Sequence, residues 1–444
     1  MQNPFSIFEA AASCPDQIGL RRAGEDYSFS RLATLTQNTI DRLRREKALP
    51  EAGRPMIIEG KNTVETIVLL YALMELNIPA LMLHPKLTAA ERYVLLSSIR
   101  EIKDPLPEET VAVLFTSGTT GLPKPAIITR KMLWESAKAS ERNLGWEKDD
   151  CWQLCMSVTR IGGLSILTRC LLARKTLAIS PLFNPESFVK ALTDDQVTIT
   201  SIVPTMLAKI FETYPDWRAP KHLRVILLGG SSANDKLLLK AHRQGLPIVT
   251  TYGMTETCSH VVMTPYTERF NLVKGSGKVI VGAEVRTRDG QIEVKSPMTT
   301  PGYWGREPLK GEWFETGDLG EFDAEGVLHV HARRHDLILS AGENVYPLEV
   351  ENMLTRSPFI KEALVIGEPD ETWGAIVCAL IVPEKGTHPK VEDVRRFCKE
   401  TLSAYKCPRK IAFVDALPVN SADKPDRRSE ILRRYELIPI HYKH

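Results

Sequence analysis

The sequence predicts an α/β protein: helix-covered parallel sheets, then an antiparallel segment, then a smaller α+β unit. Three observations predict this. Between Ser30 and Thr251, short apolar runs alternate with helix-length stretches. From about Gly275 the apolar runs shorten and lie between Gly and Asp turns, as in an antiparallel sheet or a small barrel. After Arg334 a compact set of two helices and two strands follows. With 444 residues, more than one hydrophobic core is expected. The boundary is placed to give domains 1–334 and 335–444.

In order, Ser30 to Arg45 carries a helical rhythm (Leu32, Leu35, Ile40, Leu43). Pro55–Glu59 reads as a strand, Val64–Leu76 as a buried helix and Ala80–Leu83 as the next strand. Val111–Phe115, Ile199–Val203 and Val225–Leu228 are further strand runs. The last ends in Gly229-Gly230, a tight turn into a helix beginning near Asn234 or Asp235. Ile248–Thr251 is a strand expected to end in a loop at Tyr252-Gly253. Val279–Val281, Ile292–Val294 and Val327–Val330 are the short runs of the antiparallel segment. The final unit has a helix at Pro347–Thr355, strands at Ala363–Ile366 and Ala379–Val382, and a helix at Val391–Leu402.

Composition excludes several classes. Apolar residues are 43% and charged residues 25%, ordinary for a globular protein. The formal net charge of +2 gives no electrostatic reason to expect nucleic acid or an acidic membrane as partner. No run reaches the roughly 20 apolar residues of a membrane helix, and the N-terminus lacks a secretory pattern. The eight cysteines are scattered, with no zinc spacing around the one close pair, Cys151 and Cys155. Reduced thiols in a cytoplasmic protein are expected.

The most informative segment is Thr116-Ser117-Gly118-Thr119-Thr120-Gly121-Leu122-Pro123-Lys124, directly after a strand. Small residues let backbone approach a phosphate, hydroxyls and N–H groups donate to it, and a lysine completes the anion site. The glycine spacing is not that of a Walker loop. This loop closely resembles the phosphate-binding signature of the acyl-CoA synthetase, or adenylate-forming, superfamily. Within it, Ile161 to Arg169 and the compact length look most like the o-succinylbenzoate–CoA ligases of menaquinone biosynthesis. The resemblance runs from about Ser28 to Arg428.

Other motifs follow in the family's order. The resemblance implies that Tyr252 stacks on adenine beside Gly253, that Thr255 contacts the α-phosphate, and that Glu256 holds Mg²⁺. Gly230, Ser231 and Ser232 resemble the loop against adenine, and Gly229-Gly230 also serves as a plain strand-to-helix turn. Asp318, in Thr316-Gly317-Asp318, and Arg333 match the ribose-binding pair. His335 falls at the hinge about which relatives rotate their C-terminal domain. Gly342 lies near the thiol path. Lys424 matches the lysine that enters the site during adenylation, where it neutralises charge as two anions meet.

Arg160, Gly163, Arg169 and Met254 are expected to line the acid pocket. Arg169 interrupts the apolar run Leu164–Leu172. It is either a packed stem with its head at the surface or a receptor for a second carboxylate, which guanidinium binds as a fork. Arg160 assists or competes in that role. Pro125, Arg160, His335 and Asp423 depart from the common pattern, though none removes a group the chemistry requires.

The resemblance thus implies two parallel-sheet α/β subdomains plus a small β-barrel, then a mobile C-terminal domain. It implies an ATP-dependent, AMP-forming acid–thiol ligase using Mg²⁺ and coenzyme A, with o-succinylbenzoate as leading acid. A homodimer is compatible with it. Other readings are another aryl- or acyl-CoA ligase, an adenylating enzyme that loads a carrier protein, and a nucleotide-binding pseudoenzyme.

Overall fold

The computed structural model describes residues 3–116, 123–180, 183–272, 274–340, 343–419 and 425–442. A nine-stranded sheet runs in the order Lys278–Val279, Ser259–Met263, Ile248–Met254, Val225–Leu228, Ile199–Ile202, Cys151–Leu154, Thr176–Ile179, Ile18–Arg22 and Glu25–Ser28. Its six central strands are parallel and its edge pairs antiparallel. A second sheet sets Met56–Glu59, Ala80–Leu83 and Thr110–Thr116 parallel, with Lys124–Thr129 antiparallel at its edge.

Local chemistry explains the helices. Val64–Leu76 starts at Thr63, whose hydroxyl accepts from the Thr66 amide, and stops at Asn77 in the left-handed conformation. Most of its thirteen residues are buried, so its apolar pattern is continuous and not one-sided. Ile161–Ala173 is likewise buried along nearly its whole length, with Arg169 among the buried residues. A bidentate pair between Arg224 and Asp150 (2.9 and 2.6 Å) ties the starts of strands Val225–Leu228 and Cys151–Leu154. The same guanidinium donates to the Leu144 and Gly145 carbonyls, holding the end of helix Arg130–Leu144 against the start of strand Cys151–Leu154.

Three expectations change. Strand Ile248–Met254 continues through Tyr252-Gly253, where a loop was expected, because Ser259–Met263 pairs with it antiparallel. Val279 joins the nine-stranded sheet through Val262 and not the antiparallel segment. Among the described residues that segment is a four-stranded meander, Glu284–Arg288, Gln291–Lys295, Phe314–Phe322 and Leu328–Arg333, whose pairing there does not close into a barrel.

A six-stranded sheet begins at Ile338–Ser340 and is built around the long pair Ile360–Asp370 and Gly374–Pro383. Helix Pro347–Thr355 packs on it, and Arg427 reaches its Glu351 as a fork. The sheet docks on helices Pro204–Thr213 and Asp235–Arg243 through Lys236–Glu384 (2.6 Å), Arg356–Asp235 (3.4 Å) and Lys361–Glu212. Among the described residues no helix is long and apolar enough to cross a membrane.

Candidate active site

Parallel strands Ile199–Ile202, Val225–Leu228 and Ile248–Met254 open at their carboxyl ends into one cleft, the usual place for a ligand in such sheets. Its volume, 2580 Å³, exceeds the roughly 300–1,000 Å³ of a single-ligand pocket. The meander and the C-terminal sheet close its other sides.

At one end lie Gly230, Ser231, Ser232, Tyr252, Asp318 and Arg333, all lining the cleft. Gly230 takes φ +81°, a conformation that suits glycine at this turn. The Tyr252 hydroxyl donates to Asp318 Oδ2 at 2.9 Å. Burial, helped by the Asp318 charge, holds the Tyr252 phenol well above its ordinary pKa, so it stays a donor. Asp318 is 6% exposed, and its register partner across the meander is Arg333, with Nε 3.6 Å from Oδ1. A held carboxylate and a guanidinium facing a buried phenol suit a ribose diol under an aromatic ring.

At the middle, Thr116 and Lys124 face each other as register partners on the two arms of a hairpin. Ser117, Gly118, Thr119, Thr120 and Gly121 lie outside the described residues, as do Gly342 and Lys424. Thr255 and Glu256 sit on a single helical turn after Met254, and all three line the cleft. The Tyr303 hydroxyl donates to Glu256 Oε1 at 3.0 Å, and its ring centre is 5.3 Å from Lys124 Nζ. Gly253 is required here, because a Cβ would stand 1.9 Å from the Ser259 carbonyl.

The third region is walled by Arg160, Gly162, Ser165, Arg169 and His260. Arg160 precedes helix Ile161–Ala173 and donates to the Phe115 carbonyl at 3.3 Å. Gly163 does not line the cleft, contrary to expectation. It is a packing glycine whose added Cβ would lie 2.3 Å from the Ser157 carbonyl, and its neighbour Gly162 faces the cavity instead.

Arg169 resolves the choice left open by the sequence: its head is not at the surface. It is 3% exposed, makes no ion pair among the described residues, and its Nε has no hydrogen-bond partner. One terminal nitrogen donates to Ser136 Oγ at 3.1 Å, and the guanidinium carbon is 5.7 Å from the Trp152 ring centre. Burial pushes its pKa down to about 10, which leaves it cationic at neutral pH. A buried cation without a counter-ion is costly, and an incoming anion would offset that cost.

Sequence reasoning missed Tyr303, His260 and Ser136. Gly302-Tyr303-Trp304, with its aromatic residues in a turn, was a readable signal for the first. The other two become visible only in three dimensions.

Residues 96–304 match the family model described as AMP-binding enzyme, and residues 349–424 the AMP-binding enzyme C-terminal domain. A 2-succinylbenzoate–CoA ligase of Bacillus cytotoxicus is 32% identical over 96% of this chain and 97% of its own. The o-succinylbenzoate CoA synthetase of Bacillus subtilis, in complex with its acyl-adenylate intermediate, superposes with TM-score 0.85 at 30% identity, over 95% of this chain and 96% of its own. A double mutant of that synthetase bound with a product analogue gives 0.69 at 30% identity, over 95% and 97%.

Proposed function

The chain belongs to the adenylate-forming family of AMP-binding enzymes and is an AMP-forming acid–CoA ligase; on that premise we propose that its acid is o-succinylbenzoate. One observation carries the choice of acid. Arg169 is a buried guanidinium with no carboxylate partner among the described residues, on the wall of the acid region. A monocarboxylate gives its only anionic group to the α-phosphate and leaves that cation uncompensated. A dicarboxylate such as o-succinylbenzoate offers a second anion to it.

In the first half-reaction a carboxylate oxygen attacks the α-phosphorus of ATP and the bond to pyrophosphate breaks. Positioning and charge neutralisation do most of this work. Asp318, Arg333 and Tyr252 hold the nucleoside. Thr116 and Lys124 meet the phosphates together with Ser117, Gly118, Thr119, Thr120 and Gly121, and Lys424 enters to neutralise the two anions. A single carboxylate at the phosphate end suits Mg²⁺, which takes one or two protein carboxylates and completes its shell with phosphate oxygens and water. Glu256 would hold it, and the ion would screen phosphate charge.

In the second half-reaction the thiolate of coenzyme A attacks the acyl carbon, the acyl–phosphate oxygen bond breaks, and AMP leaves. Residues 335–444 turn about His335 between the steps and bring Gly342 to the thiol path. The eight free thiols fit a reducing, cytoplasmic setting, and the thioester formed would serve menaquinone biosynthesis.

The test is to incubate the protein with MgATP and o-succinylbenzoate without coenzyme A, and to look for the acyl-adenylate by mass spectrometry. Its formation with o-succinylbenzoate, but not with benzoate or a fatty acid, supports this acid. Adenylation of another acid in the same panel discards it.

A further inference from the structure

The acid region contains a second buried nitrogen without a partner. His260 is 5% exposed, lines the cleft, and its Nε2 makes no hydrogen bond in the described structure. Strand register holds it in place: His260 pairs with Gly253 across the hairpin that carries Thr255 and Glu256. Ser136 ties that hairpin to the arginine helix. Its hydroxyl accepts from Arg169 and donates to the Cys258 carbonyl at 2.8 Å, two residues before His260. Helix Ile161–Ala173 and strand Ser259–Met263 are therefore joined beside the cavity that Arg169 and His260 line, with Arg169 Nε and His260 Nε2 buried and unpartnered in its wall.

A buried polar nitrogen left unpaired costs about 1–3 kcal/mol, so two in one wall point to a ligand that satisfies both. Ser259 Oγ lies 3.5 Å from His260 Nδ1. When that hydroxyl donates, Nδ1 is the acceptor and Nε2 carries the proton as a neutral donor in the cavity wall. Burial and the Arg169 charge both hold the imidazole pKa well below its ordinary value, consistent with a neutral ring.

We propose that His260 is a specificity-determining residue whose Nε2–H donates, beside Arg169, to the second carboxylate of the acid. The proposal rests on the dicarboxylate reading above. It divides the work at that carboxylate: Arg169 supplies charge, and His260 supplies a directional neutral bond that a monoacid cannot use.

The test compares kcat/KM for o-succinylbenzoate with that for 3-benzoylpropionate, the same acid without its ring carboxylate. His260→Leu should lower the diacid-to-monoacid ratio of kcat/KM at least about tenfold, the scale of losing a hydrogen bond to a charged group. His260→Gln, which keeps a neutral donor at similar reach, should restore most of it. If His260→Leu does not fold, His260→Asn, whose amide stops short, should show the same fall. A ratio unchanged in the Leu and Asn variants, or one that falls as far in Gln as in Leu, overturns the proposal. Failure of the wild type to accept any diacid overturns the dicarboxylate reading itself, a separate outcome.

Discussion

The hydroxyl of Tyr303 lies 3.0 Å from Oε1 of Glu256, and its ring faces the ammonium of Lys124. One phenol thus links a carboxylate and a cation that stand 132 residues apart in the chain (256 − 124). Tyr303→Phe removes the donor and frees the carboxylate to rotate. A net hydrogen bond of about 1 kcal/mol corresponds to roughly a fivefold rise in KM for MgATP. Steady-state kinetics with varied MgATP checks this; an unchanged KM removes Tyr303 from the phosphate end.

Asp318 accepts from Tyr252 and faces Arg333. Asp318→Asn should weaken ATP by roughly tenfold, as expected for bonds to a charged acceptor. It should also narrow the difference between ATP and its 2′- and 3′-deoxy forms, since the lost contact is to the diol. Equal losses for all three nucleotides would place Asp318 outside the ribose site.

Arg169 should trade stability for recognition. Arg169→Leu removes a buried cation without a counter-ion and is expected to raise the thermal midpoint. The same change should lower kcat/KM for o-succinylbenzoate by at least about a hundredfold, the loss of a charged bidentate contact. Calorimetry and kinetics on one preparation check both. A lower midpoint with full diacid activity would make Arg169 a packing residue.

Arg224 behaves in the opposite way because it is paired. Asp150 has a fully buried side chain, and Arg224→Ala would strand its charge. Breaking such a buried pair costs about 3–5 kcal/mol, readable as a lower urea midpoint. Removing both partners should cost less than removing the arginine alone. A double-variant cost equal to the sum of the two single-variant costs would show that the pair is not coupled.

Three ion pairs join the C-terminal unit to helices Pro204–Thr213 and Asp235–Arg243. Each exposed pair is weak alone. Lys236→Glu should slow pyrophosphate release more than transfer of preformed adenylate to coenzyme A, and adding Glu384→Lys should restore the balance. Stopped-flow measurement of the two half-reactions checks this. Equal slowing of both steps counts against a role for the pairs in orientation.

Much of this was legible in the chain. Val64–Leu76 and Pro347–Thr355 were readable to the residue, because caps and a proline mark their ends. The glycine turn after Val225–Leu228 and a helix start near Asn234 or Asp235 were also readable, and the helix begins at Asp235 with Asn234 as its cap. Long-range pairing was not. The hairpin Ile18–Ser28 joins the sheet beside Thr176–Ile179, and Ser259–Met263 extends the strand through Tyr252. Both depend on partners far away in sequence. The same limit hid His260 and Ser136, ordinary residues until the fold sets them beside Arg169. It also misassigned Gly163, whose small size serves the Ser157 backbone and not a ligand.

The most direct measurement is steady-state formation of the coenzyme A thioester from MgATP and each acid of a panel containing o-succinylbenzoate, 3-benzoylpropionate, benzoates and fatty acids. Turnover is expected with o-succinylbenzoate, with release of AMP and pyrophosphate in equal amounts and kcat/KM at least about tenfold above that of any monoacid. Preferred turnover of a monocarboxylate, with o-succinylbenzoate inert, would contradict this expectation.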